Sequence, residues 1–332
     1  MKKHAKEWTL FGVLIVVIIV LSLLPPYKFM TATNIKAMVF QLPEFGLFTL
    51  AMMVVILTGG INLSVVTTGT VGGIVSATVL SSMYENGADV TVSIITAILI
   101  LLAVSVLCGI LNGYVVSYIG AAAMMATLGT STLYEGVGLL ISKGNSVSGL
   151  PKEFFWFGNG TVLGIPVPMI IFVVMAVVTY LLLERTAWGH SIYMVGSNQK
   201  ASEFSGINVR KVTMWVYIYS AFLGGIAMII MMSRYNSARV DYGSSYLMQT
   251  VAASVLGGAA ITGGYGKVGG VITAVAILQC LSSGLNIFGL ETSLSRVITG
   301  ALLIGVLLIN FLTTRYGKPG MSFKTKALES RK

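Results

Sequence analysis

Apolar residues along this chain come in blocks of about twenty, separated by short polar or glycine-rich breaks. About twenty apolar residues are what an α-helix needs to cross a bilayer core roughly 30 Å thick. The pattern predicts ten spans, near residues 8–24, 35–57, 65–83, 92–118, 121–142, 167–183, 213–233, 247–262, 269–289 and 294–312. The spans at 65–83 and 247–262 carry the most Gly, Ser and Thr. The first run begins after Lys2, Lys3 and Lys6 and ends at Pro25–Pro26 without a small-residue cleavage site, so it reads as a retained span and not as a leader.

Composition agrees with this pattern. Of 332 residues, 55% are hydrophobic and 10% charged, with a mean hydropathy of +0.88. Soluble domains carry about 25% charged residues, which excludes a soluble enzyme. The expected class is an all-α polytopic membrane protein. Residues 1–312 form one membrane domain, 184–212 its longest internal polar segment, and 313–332 a basic tail beside anionic lipid.

The net charge of +10 serves orientation, and nucleic acid is not an expected partner. The ten-span arrangement puts 14 of the 21 Lys and Arg on the side of both termini. By the positive-inside rule, the termini and the 184–212 segment are then cytoplasmic. Eight or twelve spans would keep the same orientation. The aromatic loop at 143–166 falls on the other side, where it suits a membrane interface.

Few residues could carry chemistry. Glu44, which follows Pro43, and Glu135 are the carboxylates expected within spans. An ionisable group at that depth faces protein or a water-filled cavity. Asn62, Asn112, Gln249 and Asn286 are neutral polar candidates for the same pathway, although the first expectation for any one of them is to join helices by hydrogen bonds. His4 and His190, the two histidines, support neither a proton relay, a metal site nor a nucleophilic triad. No catalytic residue and no metal ligand is expected. Cys108 and Cys280 read as buried thiols. The stretch from Gly263 to Val268 imitates a phosphate loop but has Ile261 and Val268 where the loop needs Gly and Ser or Thr. ATP and Mg would therefore have to be handled by another polypeptide.

The 38 glycines gather inside spans. Gly109 with Gly113, and Ala253 with Gly257, share helix faces, and small residues at this spacing let backbones approach closely. Such glycines also allow broken helices that border a pathway.

Four stretches carry a family resemblance. They are Leu57-Thr58-Gly59-Gly60-Ile61-Asn62-Leu63-Ser64-Val65, Thr127-Leu128-Gly129-Thr130, the run from Arg185 through Gly196 to Ile207, and the run from Val251 to Gly258 followed by Thr262-Gly263-Gly264. In this order they resemble bacterial sugar ABC transporter permeases of the ribose permease type. The resemblance implies an ABC importer permease fold in the inner membrane. It also implies an ABC ATPase, a periplasmic or lipid-anchored binding protein, and a second permease copy or homologous permease as partners. It makes 184–212 a coupling segment, with Gly196, Lys200, Ala201, Ser202, Glu203, Ser205, Gly206 and Arg210 positioned to meet the ATPase. The chain departs from the family pattern at Asn62 and Gln249, where Asp is usual, at Val66, where Gly is usual, and near Glu135, where Arg is frequent. The expected cargo is a sugar or sugar-like small polar solute. An ion-coupled secondary transporter is the alternative, and it would rest on Glu44 and Glu135.

Overall fold

The computed structural model describes residues 5–24, 28–287, 297, 300 and 301. The tenth expected span lies outside the described residues except for Val297, Gly300 and Ala301, and the basic tail lies wholly outside them.

The first four helices are α1 (Ala5–Leu23), α2 (Ala32–Ile56), α3 (Val65–Glu85) and α4 (Val90–Tyr114), the last running on through a π-turn to Ile119. After α5 (Ala123–Ser142), a loop carries β1 (Val147–Ser148), the short helix α6 (Trp156–Asn159) and a hairpin of β2 (Thr161–Val162) with β3 (Ile165–Pro166). Then come α7 (Val167–Arg185), α8 (Ala187–Ser197), α9 (Gln199–Phe204), α10 (Val209–Tyr235), β4 (Ser237–Ala238), α11 (Tyr246–Leu256) and α12 (Val268–Ile287). Antiparallel pairing of β1 with β4 ties the long loop to the end of α10.

Among the described residues, six helices are long and apolar enough to cross a membrane: α2, α3, α4 with its π-turn, α7, α10 and α12. The chain is a multi-pass membrane protein. α5 has the length but carries Thr127, Thr130, Ser131, Thr132 and Glu135. The apolar parts of α1 and α11 are shorter.

α2 and α10 form the centre. Residues 43–56 of α2 are all buried, and α10 packs on α2, α3 and α4 while α7, α11 and α12 cover other sides of α2. A helix apolar all round belongs in such an interior. Glycine sets the spacing: a Cβ on Gly69 of α3 would stand 2.7 Å from the carbonyl oxygen of Gly224, and one on Gly109 of α4 would stand 2.6 Å from the Cβ of Ala221. Both meet α10, so the Gly109–Gly113 face packs a helix.

One expected element ends early. The 247–262 run is helical only to Leu256. Gly258 takes φ +94°, which a side chain strains to adopt, and Gly257 presses on the backbone of Val271. Residues 257–267 then form a compact turn that returns the chain to α12.

Candidate functional site

Two clusters hold the ends of the buried part of α2, and they are built differently. At the Pro43 level, Glu44 is fully buried and its Oε1 lies 2.7 Å from Nη1 of Arg234 on α10. The Tyr246 hydroxyl donates to Glu44 Oε2 at 3.5 Å, and Arg234 donates to the Phe40 carbonyl at 3.4 Å and to the Tyr235 hydroxyl at 3.0 Å. Pro43 lacks an N–H, so the helix already has a loosened turn here. The long loop closes over the pair: Ser233 donates to the Phe154 carbonyl at 2.6 Å, and Gly158 N–H donates to Ser233 Oγ at 2.7 Å. Glu44 therefore has a fixed cationic partner joining α2, α10 and α11.

At the other end, α2 stops at Leu57 and the chain crosses to α3 through 57–64. Asn62 Oδ1 accepts from the Ser64 amide at 3.1 Å and the Ser64 hydroxyl at 2.8 Å, a local turn that short polar side chains favour. Its Nδ2 donates to Ser220 Oγ of α10 at 3.2 Å. Asn112 of α4 donates to Ser64 Oγ at 2.7 Å and accepts from the Tyr134 hydroxyl of α5 at 3.2 Å. Thr127 of α5 accepts from the Leu63 amide at 3.0 Å and donates to the Ile61 carbonyl at 3.1 Å. A buried polar chain thus runs from α10 through the loop to α4 and α5. Beside it, the Tyr217 hydroxyl is buried near Gly60 without a hydrogen-bond partner among the described residues.

Of the six pathway candidates, the structure joins Asn62 and Asn112 through Ser64. Glu44 stands apart in its ion pair. Glu135 is exposed on α5 and lines a small cavity of about 230 Å³ with Arg239 and Asp241, which pair at 3.0 Å. Gln249 is half-buried on α11, and Asn286 is exposed on α12.

The 184–212 segment folds as two short helices and the start of α10. Each start is capped: the side chains of Thr186, Asn198 and Asn208 accept from the amides of Gly189, Ala201 and Lys211. α9 packs through Ser202 against α8 and the start of α10 and leaves its other side open. Lys200, Ala201, Glu203, Ser205, Gly206 and Arg210 are exposed, Ser202 is buried, and Phe204 is 94% exposed. Gly206 turns the chain with φ +80°.

Gly196, at the base of this projection, is fused to the core by backbone contact. A Cβ there would collide with the Leu57 carbonyl oxygen and stand 2.5 Å from the Gly264 nitrogen. Gly264 N–H donates to the Leu57 carbonyl at 2.9 Å. A Cβ on Gly263 would lie 2.6 Å from Gly59 N, and one on Gly264 would lie 2.8 Å from Ser197 Cα. Tyr193 donates to the Gly266 carbonyl at 2.9 Å. Its hydroxyl is pushed up to about 12, by burial first and then by Glu184 and Tyr265, so it remains a donor at neutral pH. Three segments, 57–60, 196–197 and 263–266, therefore meet as one glycine junction.

Several of these residues escaped the sequence reading. Arg234 is a lone charge near a helix end, and nothing local marks it as the partner of Glu44. Tyr134, Ser64 and Ser220 are common polar residues. Phe204 sits inside the third recognised stretch, yet its exposure follows only from the fold. Among the described residues, no group of His, Cys, Asp and Glu could hold a metal.

Residues 34–307 match the family model described as branched-chain amino acid transport system / permease component. The chain is 37% identical over 298 residues to the ribose import permease protein RbsC of Bacillus subtilis (strain 168), covering 89% of this chain and 90% of that protein. It is 32% identical over 312 residues to the autoinducer 2 import system permease protein LsrD of Photorhabdus temperata, covering 91% and 90%. The corresponding protein of Salmonella typhi is 31% identical over 314 residues, covering 92% and 91%. No solved structure gives a significant match.

Proposed function

Because this chain belongs to the branched-chain amino acid transport system permease family, we propose that it is the membrane-spanning subunit of an ATP-driven importer for a sugar or sugar-like small polar solute. It lies in the inner membrane with both termini cytoplasmic. ATP and Mg act on a separate ATPase. A binding protein delivers the solute, and a second permease copy or a homologous permease completes the path.

The glycine junction carries this reading. It links the exposed α9 directly to the loop that presents Asn62, so a force on α9 reaches the buried polar chain through backbone contacts. The ATPase meets α9 through Phe204, an apolar knob flanked by Lys200, Glu203 and Arg210. Large aromatics in that position dominate interface energies. Asn62, Asn112, Tyr134 and the Tyr217 hydroxyl offer the donors and acceptors that a polyhydroxy solute requires once the helices part.

Two features weigh against an ion-coupled mechanism. Glu44 is held by Arg234, and Glu135 sits on an exposed face away from the buried polar chain. Co-expression with the neighbouring genes tests the proposal. A co-purifying ATPase stimulated by the binding protein, together with uptake that stops on ATP depletion, is the expected result. Uptake that survives ATP depletion but collapses with an uncoupler would overturn it.

A further inference from the structure

A cavity of about 730 Å³ opens on the side of the molecule between α4, α7 and α10, with α8 and the 206–208 turn closing one end. It belongs neither to the polar chain nor to the glycine junction. Its character changes along its length. Lys211 and Asn208 stand at the end nearest α9, Trp188 and Trp215 in the middle, and Val106 and Phe222 at the far end. From Lys211 to Phe222 is about 16 Å along a helix, close to half of a hydrocarbon core of roughly 30 Å.

An apolar groove one leaflet deep with a cation at one end has the polarity of a phospholipid. Lys211 is exposed and has no ion-pair partner among the described residues. The Trp188 ring lines the middle of the groove and packs edge-on against Tyr219, with centroids 6.0 Å apart, so the wall there is aromatic, as membrane-facing surfaces near an interface favour. The first turn of α10 adds the positive end of a helix dipole beside the same mouth. From this arrangement we infer that the groove is a binding site for an anionic phospholipid, with one acyl chain along α10 and the phosphate at Lys211. Gly206 and Ile207 also line the groove, so the bound lipid touches the turn that carries α9. The inference rests on membrane placement alone and stands whether or not the cargo is a sugar.

The test uses the full-length chain with Trp8→Phe and Trp156→Phe, which leaves Trp188 and Trp215 as the fluorophores. It is reconstituted in phosphatidylcholine with increasing fractions of bromo-acyl phosphatidylglycerol or bromo-acyl phosphatidylcholine. Quenching by the phosphatidylglycerol is expected at about fivefold lower mole fraction, the factor that one cation near the surface confers on anionic lipid. Lys211→Ala, at an exposed position, removes the preference, and Lys211→Arg retains it. Equal quenching by the two lipids would overturn the site and leave ordinary boundary lipid. Absence of quenching by both would also overturn it, and would assign the groove to a second protein chain.

Discussion

The two ends of the buried stretch of α2 are held by opposite means. At Glu44 the tie is made by side chains: a carboxylate, a guanidinium and a tyrosine hydroxyl converge from three helices. At Leu57 the tie is made by backbones, with Gly196, Gly263 and Gly264 packed against 57–59 so closely that no side chain fits. A side-chain tie can be exchanged for another of similar shape. A backbone tie has no substitute, because any added atom separates the segments. The first fixes helices within the bundle. The second joins the bundle to the projecting α9, where the partner of an importer permease would push.

The strongest test of this contrast is at the charged end. Arg234→Met leaves the Glu44 carboxylate buried and unpaired, and should cost about 3–5 kcal/mol. Adding Glu44→Gln should recover most of that loss, because a neutral pair of similar volume avoids the desolvation cost. Thermal unfolding of the single and double variants in detergent reads both. If the double variant melts no higher than the single one, the pair is not the tie described here.

The glycine end should behave in the opposite way. Gly196→Ala should cost about 1–3 kcal/mol, and trimming nearby side chains, such as Leu57→Ala, should not restore it, because the obstruction is the Leu57 carbonyl. Recovery in that double variant would show that the contact is made by side chains after all.

Smaller effects sharpen the picture. Asn62→Ala removes acceptor and donor from the buried chain and should cost about 1 kcal/mol, since the Ser64 and Ser220 hydroxyls can rotate to other partners. Phe204→Ala should leave the melting temperature of the isolated chain unchanged, while ATPase co-purification is lost. Retained co-purification would move the docking surface away from α9. Glu135→Gln, on an exposed face, should likewise leave stability unchanged, and a large fall in melting temperature would place it in a buried contact.

Much of the fold was legible because apolar block length maps directly onto span length. The runs 65–83, 92–118, 167–183 and 213–233 lie within α3, α4 with its π-turn, α7 and α10. The run 247–262 misled because its composition stays apolar past Leu256 while Gly257 and Gly258 break the helix, one for close approach to α12 and one for a left-handed backbone. Glycine counts alone do not separate a packed helix, as at Gly109, from a turn, as at Gly258. Asn112, polar within a span, and Asn62, between two spans, were marked as candidates, and the structure joins them through Ser64. The partnership of Glu44 with Arg234 was not legible, since it depends on how α2 and α10 cross. The 184–212 segment was marked by its motif, but the junction at Gly196 emerged only from three segments distant in sequence meeting at one point.

Through that junction, α9 and the Leu57–Asn62 loop are expected to move as one body. The direct measurement is solute imported per ATP hydrolysed by the reconstituted permease–ATPase assembly, comparing the native chain with Gly196→Ala at a temperature where both remain folded. ATP hydrolysis should continue while import per ATP falls. An unchanged ratio would contradict it and leave the glycine junction as packing alone.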